Sequence, residues 1–355
     1  MIQSFYLKSF MAHKEFHVEE CAPINIIVGN NDTGKTGLLK LLYATTKTLD
    51  IYSRVQHDDG EGNLKKMLAE KLIGVYQPGK KGLGELVNKM TTEKLYVDVE
   101  FRHKTLNYHD RLFFSFGDST TNTIVTAPER IGAISENFRC LFIPAKEVLT
   151  ALKAIRATRE NLHIRGFDDT YLDLIKALSL PTVSGNVKLE LAKLNPRLAN
   201  VLDGNIEQNA DNDFIFKRGN TEFSMSLTAE GIKKIGIFTT LIRNRQLNAS
   251  SVLFLDEPET TLHPQAIREL VEMLVLMAKS GIQIFLATHS YVVLKQFSIC
   301  VRRENISANF YALRREKGSP IQYEQYDLAL GFPANSLSDE AMKMADEEIA
   351  LDLGV

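Results

Sequence analysis

The sequence predicts an α/β fold with a mixed central sheet, an antiparallel β subdomain and a helical middle subdomain. Three observations support this prediction. Near the N-terminus, the apolar run 24–28 is followed by a glycine-rich loop and then by apolar residues at helical spacing. In the final third, apolar runs at 252–255 and 282–287 alternate with helical patterns, as in a parallel sheet. Between these parts, short alternating segments separated by turn residues indicate antiparallel strands.

The N-terminal elements follow from periodicity. We predict strands at 4–10 and 24–28 and a helix from Thr36, along which leucines recur at helical spacing. Residues 54–94 are polar, and the turn-rich stretches HDDGEGN and QPGKKGLG separate short helical pieces, so an inserted surface segment is expected there. Residues 1–145 form the predicted first lobe.

The middle of the chain predicts both strands and helices. Strands are expected at 96–102, 111–116, 123–126 and 140–143. A helical middle region is expected at 146–226, with helical sequence from 144 to 159 and on to about 202, and strand-like stretches at 213–217 and 222–226.

The last part returns to an alternation of helix and strand. Helices are expected from Ala229 and from Pro264, on either side of the strand at 252–255. We expect residues 227–300 to carry functional motifs and residues 301–355 to form a C-terminal α/β extension.

The composition excludes several classes of protein. The hydrophobic fraction of 44% allows a packed core, and the formal net charge of -2 gives no general attraction to nucleic acid or anionic membranes. Cys21, Cys140 and Cys300 match neither a disulfide framework nor a CxxC metal site, which favours a cytoplasmic location. No apolar run approaches the roughly 18 residues of a spanning helix, so we expect no membrane association.

The glycine-rich loop matches the GxxxxGK[ST] pattern of Walker A phosphate-binding loops. Its backbone N–H groups are predicted to surround a phosphate, Lys35 to contact terminal phosphate oxygens, and the Thr36 hydroxyl to bind Mg²⁺. The strand before it and the helix after it supply the structural context that the motif requires. The predicted nucleotide-binding residues are Gly29, Asn30, Asn31, Asp32, Thr33, Gly34, Lys35, Thr36 and Gly37.

An acidic pair ends the apolar strand at 252–255. Asp256 is predicted to join Thr36 in binding the metal ion, and Glu257 to polarise the water that attacks the terminal phosphate. The alternative is a strand whose polar end simply meets solvent. The Walker A loop upstream favours a Walker B motif.

A histidine follows the next strand in the same way. His289 comes directly after the apolar run that ends at 287 and Thr288, where its imidazole can donate to the terminal phosphate. His163 and His263 lack this context and are expected to be structural. The predicted catalytic residues are therefore Lys35, Glu257 and His289.

These motifs, in this order and at this separation, resemble the ABC ATPases of the SMC, RecF and OLD-like group. The stretches LDEPETTLHP and ATHS carry the resemblance, and FIPAKEVL and GFPANSLSDEA extend it over most of the chain. More narrowly, the chain is similar to bacterial AAA_15/AAA_21-type ATPases of OLD, Gabija and related phage-defence systems. The resemblance implies an ABC-type P-loop ATPase head that uses ATP and Mg²⁺.

In that family, a signature motif from the partner subunit completes each ATP site. The matching residues here are Thr228, Ala229, Glu230 and Gly231, with threonine in place of serine and a single glycine. The resemblance implies that they contact the terminal phosphate across a homodimer interface. An ordinary capped amphipathic helix is the alternative.

Other family features are incomplete in this sequence. The expected Q-loop junction near 143 has no glutamine, so Lys146, Glu147 and Gln77 are alternatives, and the family pattern places a D-loop at 259–263. The TOPRIM nuclease domain of OLD and Gabija proteins and the coiled coil of SMC proteins are not matched.

The resemblance therefore implies a slow ATPase that forms a homodimer or a higher oligomer. It would act as a sensor or regulator of a separately encoded effector, such as a nuclease or toxin in anti-phage defence. A RecF-like or SMC-like ATPase that binds DNA, and a nucleotide-bound scaffold with little turnover, are the alternatives.

Overall fold

The computed structural model of this chain describes residues 1–55, 63–102, 109–128, 131, 135, 137–162, 164–181, 204–209, 213–316, 319–331 and 335–353. His163, part of HDDGEGN, residues 182–202 of the predicted helical sequence and part of GFPANSLSDEA lie outside these ranges.

The strands are β1 (Ile2–Phe10), β2 (His13–Val18), β3 (Ile24–Gly29), β4 (Leu95–Arg102), β5 (His109–Phe116), β6 (Arg139–Ile143), β7 (Asn205–Gln208), β8 (Phe214–Arg218), β9 (Thr221–Ser224), β10 (Ser251–Asp256), β11 (Gln283–Thr288), β12 (Ala308–Arg314) and β13 (Gln322–Asp327). The α-helices are α1 (Lys35–Val55), α2 (Leu64–Tyr76), α3 (Leu152–Arg156), α4 (Asp169–Leu178), α5 (Glu230–Arg243), α6 (Pro264–Lys279), α7 (Tyr291–Glu304) and α8 (Ser336–Leu353).

The central sheet has six strands in the order β13-β12-β3-β11-β10-β6. The five strands from β12 to β6 are parallel, and only the edge strand β13 is antiparallel. Because β3 lies between β11 and β12, the N-terminal and C-terminal α/β stretches form one sheet. The carboxyl ends of parallel strands meet at one edge, so the loops after β3, β10 and β11 are neighbours.

Each face of this sheet supports its own hydrophobic core. Along β10, Leu253 and Leu255 point into one core, while Val252 and Phe254 point into the other. Helices α4 to α7 cover the first face, and α1 together with the N-terminal antiparallel sheet covers the second. The two cores cover the faces of the sheet but not its edge, so the polar residues at the ends of the buried strands lie at that edge.

The antiparallel sheet has the order β2-β1-β4-β5. It contains the predicted strands as β1, β4 and β5, and the additional strand β2, which the sequence prediction missed. The predicted strand at 123–126 is wrong, because only an isolated bridge joins Thr126 to Ser115. This sheet brings the β1–β2 turn beside the start of α1.

The prediction of a surface segment at 54–94 is wrong for residues 64–76. These residues form α2, which packs against α1, and its side chains at Leu64, Leu68 and Leu72 are fully buried. The leucines recur every four residues and so form one apolar stripe. The helical periodicity of the leucines therefore determines the structure of residues 64–76, despite the turn-rich stretches on either side.

The middle region is less helical than predicted. Residues 144–151 form no α-helix, and α3 continues into a π-helical turn at Ala157–Asn161. The Glu147 carboxylate accepts from the N–H groups of Leu149 and Thr150, which stabilises a turn in place of the first part of the predicted helix. The strand-like stretches are β8 and β9, which form a small sheet with β7.

No helix within the described ranges has the length and hydropathy that crossing a membrane requires.

Candidate functional site

The loop between β3 and α1 needs glycine at two positions because other groups approach it closely. A Cβ on Gly29 would lie 2.7 Å from the Leu313 carbonyl oxygen. Gly34 has φ +76°, and a Cβ there would lie 2.7 Å from Nε2 of His13. The glycines of the motif thus allow β12 and the β1–β2 turn to support the loop.

Lys35 begins α1 and its ammonium folds back over the loop. Nζ donates to the carbonyl oxygens of Gly29 at 2.8 Å and Asn30 at 2.9 Å. Only 6% of the residue is exposed, and this burial lowers the pKa of Lys35, while the carboxylates of Glu257 and Asp256 oppose the shift. A buried cation is therefore held at the centre of the predicted phosphate site.

Thr36 and Asp256 meet at the same edge. The Thr36 hydroxyl donates to Oδ1 of Asp256 at 2.9 Å and lies 3.1 Å from Oδ2. Burial raises the pKa of Asp256, and the Thr36 hydrogen bond opposes this shift. The structure thus brings together the two predicted metal ligands.

The oxygen chemistry of this pair fits Mg²⁺. A magnesium ion in a nucleotide site takes one or two protein oxygens, with phosphate and water oxygens completing its shell. The described residues contain no group of three or more His, Cys, Asp or Glu side chains that could hold a metal alone. Thr36 and Asp256 therefore suit an ion that arrives with a nucleotide better than a resident metal.

Glu257 and His289 form the second pair of the site. Nδ1 of His289 lies 2.9 Å from Oε1 of Glu257, and both side chains remain partly exposed. Glu257 has φ +43°, so the chain turns sharply where β10 ends. The turn presents this carboxylate at the sheet edge beside the Walker A loop.

The loop after β10 is fixed by a third carboxylate. The Thr288 hydroxyl donates to Oε1 of buried Glu259, and the Ser290 N–H donates to the same hydroxyl at 3.0 Å. Burial raises the pKa of Glu259. The predicted D-loop is thereby tied to the residue that precedes His289.

The predicted signature residues lie at the start of α5. Ala229 is the N-cap and provides no side-chain cap, while the buried Thr228 hydroxyl donates to the Ser224 carbonyl at 2.9 Å. A Cβ on Gly231 would lie 3.4 Å from Cδ2 of Leu262. The segment therefore packs against the loop that follows Walker B, and the hydroxyl of Thr228 is engaged within its own chain.

Two of the Q-loop alternatives have structural contacts of their own. Gln77 donates to the Phe167 carbonyl at 2.8 Å and accepts from the Gly166 N–H at 3.1 Å. Glu147 accepts from the turn that follows it. Lys146 is exposed. The structure thus brings none of the three into a described contact with Walker A.

Sequence reasoning missed several residues that support the loop. His13 lies against Gly34, Arg315 pairs with Asp32, and the Tyr76 hydroxyl donates to the Gly37 carbonyl at 2.6 Å. Alternation gives no signal for His13, because strict alternation places it on the face opposite Phe16 and Val18, although all three are buried. The contacts of Arg315 and Tyr76 span long sequence distances and leave no local pattern.

Comparison with known proteins adds two findings on sequence. Residues 24–295 match the AAA_21 family, described as "AAA domain, putative AbiEii toxin, Type IV TA system". A stretch of 42 residues is 45% identical to the Old nuclease of Escherichia phage P2, and it covers 12% of this chain and 7% of that relative.

Two solved structures with a similar fold are heads of SMC proteins. The SMC head bound to the C-winged helix domain of ScpA has a TM-score of 0.53 at 10% identity, covering 92% of this chain and 98% of that one. The Smc head with an extended coiled coil, bound to the C-terminal domain of ScpA derived from Pyrococcus furiosus, has a TM-score of 0.52 at 12% identity, covering 98% of both. These likenesses confirm the predicted fold class.

Proposed function

This chain belongs to the AAA_21 family and is an SMC/OLD-like ATPase of the ABC type, and from that premise we propose that it hydrolyses ATP at a site completed by a second copy. One observation carries the proposal. Lys35, the pair Thr36 and Asp256, and the pair Glu257 and His289 converge at one edge of the central sheet. These groups can bind a terminal phosphate, neutralise its charge and activate the water that attacks it.

Phosphate binding is assigned to the Walker A loop. Anionic phosphate oxygens are stronger acceptors than the Gly29 and Asn30 carbonyls that the Lys35 ammonium now contacts, so Lys35 exchanges one partner set for the other. Thr36 and Asp256 would hold Mg²⁺, which would neutralise phosphate charge when bound.

Water activation is assigned to Glu257 and His289. The Glu257 carboxylate accepts a proton from the attacking water. His289 keeps that carboxylate in place through Nδ1, and an imidazolium donates from Nε2 to the terminal phosphate as well. The partial exposure of both side chains leaves this pair accessible to water.

The second half of the site is assigned to Thr228–Gly231 of another copy. The first turn of α5 has no side-chain cap, and such an N-terminus suits an anion. In this arrangement two copies enclose two ATP molecules, and ATP favours the closed dimer because only that state supplies contacts from both chains. Hydrolysis then favours separation.

The output of the cycle is assigned to a separate effector protein in anti-phage defence, a nuclease or a toxin. The family description includes a toxin and a toxin–antitoxin system, and the short match is to a phage nuclease. In the two SMC head structures a partner protein is bound to the head.

A nucleotide-bound scaffold and a DNA-binding ATPase are the two alternative functions. A scaffold with little turnover is favoured by the engagement of the Thr228 hydroxyl with Ser224. A DNA-binding ATPase is disfavoured by the formal net charge of -2, and the exposed Arg303 and Arg315 each pair with a carboxylate, of Glu272 and Asp32.

Phosphate release by the purified chain tests the proposal. We expect Mg²⁺-dependent release by the wild type, loss of nucleotide binding in Lys35→Ala, and retained binding with little release in Glu257→Gln. Equal, negligible release by the wild type and Glu257→Gln would favour the scaffold.

A further inference from the structure

A buried lysine on α5 holds the loop that follows Walker B. Lys234 is 5% exposed, and its ammonium donates to the carbonyl oxygens of Pro258 at 3.0 Å and Thr260 at 2.7 Å. Burial lowers the pKa of Lys234, while the carboxylates of Glu259, Glu230 and Glu257 oppose the shift. A charged group in this position needs such partners, because an unpaired buried cation is costly.

The carbonyls that Lys234 contacts belong to the turn that sets the direction of Glu257. Glu257 has φ +43° and Thr261 has φ +69°, so this turn contains two residues in the left-handed region. The Glu257 carbonyl accepts from the Thr260 N–H at 3.1 Å and from the Thr260 hydroxyl at 2.8 Å. A shift of the Thr260 backbone therefore moves Glu257.

The same lysine lies one helical turn from the predicted signature. Lys234 follows Glu230, the first residue of α5, by four positions, so both lie on the same side of the helix. Gly231 is close to Leu262 in the same loop. The start of α5 and the loop after β10 are thus joined by an apolar contact and a buried cation.

We propose that Lys234 is a positioning residue that couples the start of α5 to Glu257 of the same chain. The inference rests on the proposed function: the start of α5 completes the ATP site of the partner copy, and Glu257 serves the chain's own site. Contact with the partner's nucleotide at Thr228–Gly231 is then transmitted through Lys234 to Glu257. The two ATP sites of a dimer are therefore linked through this lysine.

Steady-state ATP turnover and direct nucleotide binding test this role together. Lys234→Met should lower kcat about tenfold or more, because small misplacements of a reacting group have effects of this size. Its dissociation constant for ATP should stay within about threefold of wild type, since Lys35 and the Walker A loop are unchanged. Lys234→Arg keeps a charged donor and should recover much of the lost kcat.

Lys71→Met is the matched control for the loss of a buried ammonium. Lys71 lies on α2 and pairs with Asp169 at 3.1 Å and Asp173 at 2.9 Å on α4. Its replacement should lower thermal stability but keep kcat. Thr260→Val removes a hydroxyl from the same turn as the Lys234 contacts and should lower kcat without weakening ATP binding, which provides a second test if Lys234→Met does not fold.

The outcomes separate this inference from the function on which it rests. Absence of turnover in the wild type would overturn the proposed function itself. If the wild type is active, three results would overturn only the role of Lys234. These are an unchanged kcat in Lys234→Met, a loss of ATP affinity in Lys234→Met as large as its loss of kcat, and an equal loss of kcat in Lys71→Met. Unchanged kcat in a folded Thr260→Val would do the same.

Discussion

The hydroxyl of Thr36 is within hydrogen-bond distance of both carboxylate oxygens of Asp256, at 2.9 Å and 3.1 Å. This contact joins the start of α1 to the end of β10. These residues are 220 positions apart in the chain. Their contact depends on the insertion of β11 between β3 and β10, which places the two strand ends at one edge.

The first prediction concerns magnesium. Thr36→Val removes one oxygen of the pair and should raise the Mg²⁺ concentration needed for half-maximal ATPase activity about tenfold or more, the size of effect expected for lost metal ligation. A magnesium titration of phosphate release measures this. Thr45→Val is the control, because the Thr45 hydroxyl donates only along α1, to Leu41; the idea fails if both variants titrate like wild type.

The second prediction concerns the pair Glu257 and His289. Glu257→Gln should lower kcat about a hundredfold or more, the usual range for loss of a general base. His289→Ala should also lower kcat, because it removes the group that holds the Glu257 carboxylate. Single-turnover measurements with saturating ATP separate this loss from weaker binding, and His17→Ala, an exposed histidine on β2, should behave like wild type.

The third prediction concerns the division of the site between two chains. Ala229→Trp places a large side chain at an exposed position at the start of α5 and should block the contact with the partner's nucleotide. Lys35→Ala removes the Walker A lysine and so disables the phosphate-binding half of the site. Mixed in equal amounts, the two inactive variants should recover about a quarter of wild-type activity, because half of the dimers then contain one complete site. A mixture no more active than its separate components would argue for a site within one chain.

The fourth prediction concerns His13 and pH. Burial lowers the pKa of His13 from 6.5 to about 4, so the folded chain binds this proton less tightly than the unfolded chain. The contribution of neutral His13 to the free energy of unfolding is therefore fully present above pH 6.5. It is lost as the pH falls toward 4, and the free energy of unfolding decreases by up to about 3 kcal/mol.

Urea unfolding at pH 5 and pH 7.5 measures this dependence. His13→Phe keeps a ring beside Phe10 and removes the titrating group, so its unfolding free energy should fall less between the two pH values. An identical fall in wild type and His13→Phe would show that other groups cause the acid sensitivity.

Much of the sheet and half of the site could be predicted from local patterns. The Walker A loop, the acidic pair and His289 each follow an apolar strand, and strand ends in a parallel sheet converge. The polar, turn-rich ends of the segment 54–94 predict an exposed position, whereas the leucine stripe of α2 buries its central helix. Residues 144–151 were misjudged because the capping of Leu149 and Thr150 by Glu147 has no periodicity.

The remaining site residues depend on contacts that sequence does not display. Arg315 reaches Asp32 only because β12 pairs with β3. Lys234 left a weak signal: it shares the apolar stripe of α5 with Ile237 and Leu241, where a lysine is unexpected. The signature segment stays a prediction, since its proposed partner belongs to another chain.

The molecular mass in solution of the Glu257→Gln protein, measured with ATP and Mg²⁺, tests most directly the claim that two chains build each ATP site. Sedimentation or light scattering should give about 80 kDa, twice the chain mass of 40.0 kDa, because bound ATP that is not hydrolysed keeps the two copies together. Glu257→Gln combined with Lys35→Ala should remain at the chain mass under the same conditions. A Glu257→Gln protein that binds ATP and still sediments as a 40.0 kDa monomer would contradict a site built from two chains.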